Sequence, residues 1–204
     1  NFYLNRDIPN YEAARSDAEL ASVISPSPFA YIYLSQALMG LGKNEEALEA
    51  ARKANELDFT NLEGYLVLAQ AFIANEDYES ALAPLNTIAL YDPQNSEANY
   101  LLAQINFDSG NYQDVIDYAT RAIQKNRQDG KAYYLRGRSY MELEDYKKAY
   151  DDLKLAQGYQ PFVPETNLWR GIALLKLGQP IEAYKWFNLA AAKGDGPMRQ
   201  WAVQ

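Results

Sequence analysis

Small side chains recur at a constant interval along this chain of 204 residues. Around each of them, apolar residues stand three and four places apart, as at Tyr65, Leu68 and Phe72, which predicts helices with one apolar stripe. A second stripe follows within each interval, as at Leu85 and Ile88. The chain is therefore one motif copied end to end. The small residues, each 34 places from the next, are Ala13, Ala47, Ala81, Val115, Ala149 and Ala183.

Turn-forming residues separate the two stripes of each copy. Asp77, Asn111 and Asp145 are good N-cap types, because their side-chain oxygens can accept from the free amides of a following helix. Pro180 suits a first helical position, and Pro93 stops the second helix before the next copy begins. Each copy is predicted to be a helix, a tight turn and a second helix.

The copies, laid out from Pro28, fill nearly the whole chain. Asn1 falls in the middle of the first helix of a preceding copy, so we expect a fragment of a longer protein that forms one repeat domain over 1–204. The expected boundaries are a partial repeat at 1–27, full repeats at 28–61, 62–95, 96–129, 130–163 and 164–197, and the start of a further helix at 198–204.

The eighth place of each full copy holds a small residue, which allows two helices to approach closely. These residues are Ser35, Ala69, Ala103, Gly137 and Gly171. Together with the period and the turn chemistry, they make the chain resemble the tetratricopeptide repeat family over nearly its whole length. The resemblance implies an all-α fold, a right-handed α-solenoid of tandem helix-turn-helix repeats, whose first helices line a concave surface.

The composition speaks against catalysis. The chain has no His and no Cys, which excludes a Ser-His-Asp triad, a Cys nucleophile and the usual zinc sites. Paired carboxylates such as Glu45 with Glu46 could bind a metal, but adjacent acids on a helix point in different directions. The Gly-rich stretch 40–44 lacks the residues of a phosphate-binding loop and coincides with a hairpin turn. We expect no enzyme, no cofactor and no metal site.

Charge and hydropathy exclude further classes of partner. The formal net charge of −8 repels polyphosphates at long range, so nucleic acid is not an expected ligand. No stretch approaches the roughly 18 uninterrupted apolar residues that a membrane span needs, and we expect no membrane insertion. The lack of Cys rules out disulfides but leaves the compartment open.

The family resemblance implies a binding groove along the first helices. Two rows of apolar residues flank a row that is mostly Gln, which could bury the side chains of a peptide while the amides bind its backbone. The same rows could instead be covered by a missing helix or by a second copy of the chain, so homo-oligomer formation stays open. The candidate groove residues are Ile32, Gln36, Met39, Leu66, Gln70, Ile73, Tyr100, Gln104, Phe107, Tyr134, Arg138, Met141, Leu168 and Leu175.

Charges at the groove edge favour one class of peptide. Glu63, Glu97, Asp108, Glu142 and Glu165 outnumber three cations, so we expect an apolar peptide with basic flanks. The family's chaperone-binding members hold a terminal carboxylate with Lys, Asn and Arg, whereas the matching places here are mostly Ile32, Gln36, Val67, Glu97 and Leu101. The carboxylate tails of chaperones are therefore disfavoured.

A non-catalytic protein-binding scaffold is the favoured function. A substrate-positioning helper domain of a larger enzyme and a subunit of a secretion or envelope assembly are the alternatives. The third copy departs most from the pattern, because Asn99 and Asn106 replace large apolar residues. A buried Asn needs polar partners, so this copy is either locally loose, which we favour, or held by specific polar contacts.

Overall fold

The chain folds into helical hairpins. A computed structural model describes residues 10–160 and 164–193, and this part contains eleven helices and no β-strand. The first nine residues, Pro161 and the expected further helix at 198–204 lie outside it. The helices are α1 (Tyr11–Ile24), α2 (Pro28–Gly40), α3 (Asn44–Leu57), α4 (Leu62–Ala74), α5 (Tyr78–Tyr91), α6 (Ser96–Asp108), α7 (Tyr112–Lys125), α8 (Gly130–Glu142), α9 (Tyr146–Tyr159), α10 (Pro164–Lys176) and α11 (Pro180–Lys193).

The helices pair in sequence order, starting with α2 and α3. The first helices of the five hairpins begin at Pro28, Leu62, Ser96, Gly130 and Pro164, which are the residues at which the repeat windows begin. Each first helix packs against its own second helix, and neighbouring first helices also touch, as α2 with α4 and α8 with both α6 and α10. The architecture is that of an all-α solenoid, in which neighbouring hairpins within a unit bury their apolar faces against each other.

The chain divides into two compact units, residues 1–92 and residues 93–204. Unit 1 contains α1 to α5 and unit 2 contains α6 to α11. The division falls between Asp92 and Pro93, close to the boundary between two repeats. The expectation of one domain over the whole chain stays a prediction, and each unit is described below by itself.

One hydrogen-bonded turn joins the two helices of every hairpin. The amide of Asp145 donates to the carbonyl of Tyr140 at 2.9 Å, and the same six-residue bond recurs in the other four hairpins. The turn contains a residue with a positive φ, in the left-handed region of backbone conformation. Glycine adopts this conformation without steric strain. This residue is Gly42, Gly110 or Gly178 in three hairpins and Glu76 or Glu144 in the other two.

All three expected residues stand at N-cap positions, and two of them make the expected side-chain bond. The side chain of Asp77 accepts from the amide of Ser80 at 3.1 Å, and that of Asp145 accepts from the amide of Lys148 at 3.2 Å. The side chain of Asn111 makes no such bond. Its side-chain amide donates instead to the side-chain oxygen of Asn106 at 3.3 Å.

That contact belongs to a polar network in the third copy. The buried Asn99 donates to the carbonyls of Pro93 at 3.0 Å and Asn95 at 2.7 Å. Asn106 donates to the carbonyl of Leu102 at 2.8 Å. Backbone carbonyls thus accept from both side-chain amides, whereas the buried Oδ1 of Asn99 has no hydrogen-bond partner. The choice between local looseness and specific polar contacts stays a prediction.

The left-handed turn residues yield a stability prediction. Glu76→Gly and Glu144→Gly should each raise the free energy of unfolding by about 1 kcal/mol, because a non-glycine residue is strained at their φ of 60° and 61°. Urea unfolding followed by circular dichroism measures the change. The matched control is Glu79→Gly in the right-handed first turn of α5, which should lower stability. A loss of stability in both turn variants would contradict the strain argument.

Candidate functional site

Arg138 lies at the centre of an aromatic cluster on the first helices of unit 2. Its guanidinium carbon stands 3.7 Å from the ring centroid of Trp169 on α10, 5.2 Å from that of Phe107 on α6 and 5.9 Å from that of Tyr134 on α8. One guanidinium nitrogen, Nη1, also donates to the Tyr134 hydroxyl at 3.1 Å. The arginine therefore ties three successive first helices together by cation–π contacts and one hydrogen bond.

We call this surface the first-helix face of unit 2 and define it by Tyr100, Phe107, Tyr134, Arg138 and Trp169. All five side chains are partly exposed, so they present aromatic area and one guanidinium to solvent. Aromatic and Arg side chains of this kind dominate the binding energy of protein interfaces. Trp169 is not among the predicted groove residues. Its position in the sequence, one place after the predicted groove residue Leu168, could have indicated that it lies near the groove.

The candidate groove residues fall into both units. In unit 1, Gln36 is exposed, and four others are partly exposed: Met39, Leu66, Gln70 and Ile73. In unit 2, Leu175 is exposed, and six others are partly exposed: Tyr100, Gln104, Phe107, Tyr134, Arg138 and Leu168. The hypothesis of a groove that binds a partner stays a prediction for these residues.

Two candidates are not available to a partner. Ile32 is 0 % exposed and belongs to a buried cluster with Ala51 and Ala54 of α3 and Val67 and Ala71 of α4. Met141 is also buried, in a cluster that includes Leu153. The prediction is wrong for both. Small residues on the neighbouring helices leave room for these long side chains between hairpins, where their burial is favourable.

The cations of the first-helix face are held against aromatic rings. The Lys131 ammonium stands 5.5 Å from the ring centroid of Tyr100. Burial raises the pKa of Tyr100 above its ordinary value, and the nearby carboxylates of Glu97 and Asp129 raise it further. Tyr100 is consequently a neutral phenol at physiological pH, able to donate and accept a hydrogen bond.

A buried ion pair fixes the helix that carries Arg138. On the other side of α8, Arg136 binds Asp152 of α9 through Nε at 2.6 Å and through Nη2 at 2.8 Å. Its Nη1 donates to the Thr120 hydroxyl of α7 at 3.0 Å. This bidentate arrangement links three helices and limits how α8 can rotate.

Two kinds of feature are absent from the described part of the chain. It contains no group of three or more acidic residues arranged to hold a metal ion. It also contains no helix long and apolar enough to cross a membrane. What the surface supplies is aromatic area, amide groups and charge, which suit the recognition of another protein.

Three family models match the chain. Two models described as tetratricopeptide repeat match residues 38–105 and 134–197. A third, described as anaphase-promoting complex, cyclosome, subunit 3, matches residues 86–156. The chain is a tetratricopeptide repeat protein. No curated protein matches its sequence.

Solved structures share the fold of this tetratricopeptide repeat protein. A crystal structure of MamA protein is 26% identical, with a TM-score of 0.70, and the match covers 81% of this chain and 91% of that one. MamA 41-end from Desulfovibrio magneticus RS-1 is 19% identical, with a TM-score of 0.71 and coverage of 80% and 92%. PilF of Pseudomonas aeruginosa is 18% identical, with a TM-score of 0.76 and coverage of 89% and 79%. The repeat family is one of protein-interaction scaffolds.

The contribution of the Arg136–Asp152 ion pair to stability can be tested by replacing both residues with those at the same places in another repeat. Asp152→Ala should lower the free energy of unfolding by about 3 kcal/mol, because it leaves a buried guanidinium without its counter-ion. The double variant Arg136→Leu with Asp152→Tyr should recover most of that loss, since Leu102 and Tyr118 fill the same two places one repeat earlier. Thermal unfolding of both variants measures the effect. Equal destabilisation in the single and double variants would contradict this account.

Proposed function

We propose that this tetratricopeptide repeat protein is a non-catalytic scaffold that binds an apolar peptide with basic flanks on the first-helix face of unit 2. The observation that carries the proposal is the first-helix face, on which three aromatic rings around Arg138 and the ring of Tyr100 are partly exposed. Rigid rings lose little conformational entropy on binding, so a surface already stacked in this way is prepared for a ligand.

The peptide's apolar centre follows from the rings. Phe107 packs edge-on against Tyr112, with ring centroids 5.6 Å apart. Both Phe107 and Tyr134 also pack against a buried core cluster of unit 2. Their positions are therefore set by the core. Gln104 stands beside them, and its amide can bind the backbone of a peptide whose side chains contact the rings.

The peptide's basic flanks follow from charge. Around the face, Glu97, Asp108 and Glu142 are exposed, whereas Lys131 and Arg138 are engaged with aromatic rings. Arg138 also faces Glu142, with a nitrogen–oxygen distance of 4.0 Å. A partner therefore meets more carboxylate than ammonium, and opposite charge on the partner raises both the association rate and specificity.

Binding by two matched peptides tests the proposal. An extended peptide of leucine and phenylalanine flanked by lysines should bind more tightly than the same peptide flanked by aspartates. The double variant Tyr100→Ala with Tyr134→Ala should weaken binding of the lysine form by about tenfold or more, as loss of central interface aromatics does. Isothermal titration calorimetry measures both differences.

The control variant removes two tyrosine rings that lie outside the first-helix face. Tyr78→Ala with Tyr184→Ala deletes two exposed rings on second helices and should leave peptide affinity unchanged. Melting temperatures of both double variants show whether each remains folded. Equal binding of the lysine-flanked and aspartate-flanked peptides would refute the charge argument. Unchanged affinity in the folded Tyr100 and Tyr134 variant would refute the site.

A further inference from the structure

Unit 1 carries a second surface, on a different side of α2 from Gln36 and Met39. A surface hollow of about 390 Å³ opens between α1, α2 and α3. Its floor is apolar, formed by Tyr31 and Leu34, which lie against the buried Leu38. Both floor side chains remain partly exposed.

The hollow exists because Ala50 is small. Ala50 lines it from α3, at the place in the repeat that faces the first helix. In the later repeats this place holds the larger Pro84, Tyr118, Asp152 and Trp186. Alanine leaves unfilled the space that these side chains would occupy, and an apolar space of this kind gains free energy when another apolar group fills it.

The rim of the hollow is acidic. Three carboxylates line it, those of Glu19, Glu46 and Glu49, with the single ammonium of Lys53. Glu46 is paired with Lys43 at 3.3 Å, and Glu19 shares Arg15 with Glu12. Glu49 makes no ion pair among the described residues, so the rim keeps a net negative charge. Lys53 is already engaged, with its Nζ 2.8 Å from a carboxylate oxygen of Glu56. The apolar floor therefore lies beside a rim of net negative charge.

We propose that this hollow is a docking site for a basic amphipathic helix of another protein, with one large apolar side chain inserted beside Ala50 and Lys or Arg side chains facing the rim. Charge decides the class of occupant. A second copy of this chain carries the same formal net charge of −8 and would be repelled, as would an anionic membrane surface. The site is independent of the first-helix face, because the two share no residue.

Filling the hollow tests the proposal. The probe is a fluorescently labelled helical peptide with a leucine stripe and lysines on its other face, compared with a version in which glutamates replace the lysines. Ala50→Tyr should weaken binding of the lysine peptide by about tenfold or more, since the ring takes the place of the inserted side chain. The variant should stay folded, because Tyr118 occupies the same place in unit 2.

A charge variant gives a second, milder measurement. Glu46→Gln with Glu49→Gln should weaken binding several-fold and reduce its dependence on salt, because it removes two carboxylates from the rim without altering the core. Tyr184→Ala, which deletes an exposed ring outside both surfaces, is the matched control and should leave binding of this helical peptide unchanged. Amide chemical shifts should move at Leu34 and Ala50 on titration.

Each contrary result overturns the docking site. Wild-type affinity of Ala50→Tyr for the lysine peptide would show that the hollow is not used. Equal binding of the glutamate peptide would show that the rim does not select charge. Absence of any binding to the lysine peptide by the wild-type protein would show that the hollow has no affinity for its proposed occupant.

Discussion

The close approach of two helices within each hairpin is the constraint on which the rest of the structure depends. The residues at the twentieth place, from Ala47 to Ala183, are all 0 % exposed. A Cβ atom added to Gly137 would stand 2.9 Å from the Leu153 side chain and 3.3 Å from the Ala149 carbonyl. A larger residue there must displace the Leu153 side chain or the backbone of α9. Because packing is this tight at a few places, the remaining places are free to vary.

The residues vary most clearly at two places of the repeat that face each other. These are the seventh place, in the first helix, and the twenty-third place, in the second helix. The pair is Leu34 with Ala50 in one repeat and Arg136 with Asp152 in another. In the first case the space stays open as a hollow with an apolar floor. In the second, a bidentate ion pair closes it. One backbone geometry therefore accommodates either an open hollow or a bidentate ion pair, according to two side chains.

The periodic features of the fold could be predicted from the sequence, because helix, turn and small-residue positions all follow from one repeated contact. The face residues could be predicted only in part. Ile32 and Tyr100 occupy the same place in their repeats, yet Ile32 is buried and Tyr100 is partly exposed. Which way such a side chain packs depends on the size of residues two helices away. The stack of Arg138 on Trp169 likewise joins two repeats, which a pattern within one repeat does not contain.

Two cations at the first-helix face lie against aromatic rings. Arg138 stands 3.7 Å from the Trp169 ring centroid, and Lys131 stands 5.5 Å from that of Tyr100. Lys131 remains exposed, as do the carboxylates of Glu97 and Glu142, and Glu142 lies 4.0 Å from Arg138. Charges of both signs therefore reach solvent at this face, and salt screens their field over about 8 Å at physiological ionic strength. The aromatic rings thus have two roles, because they present apolar area to solvent and they contact the cations that lie among the carboxylates.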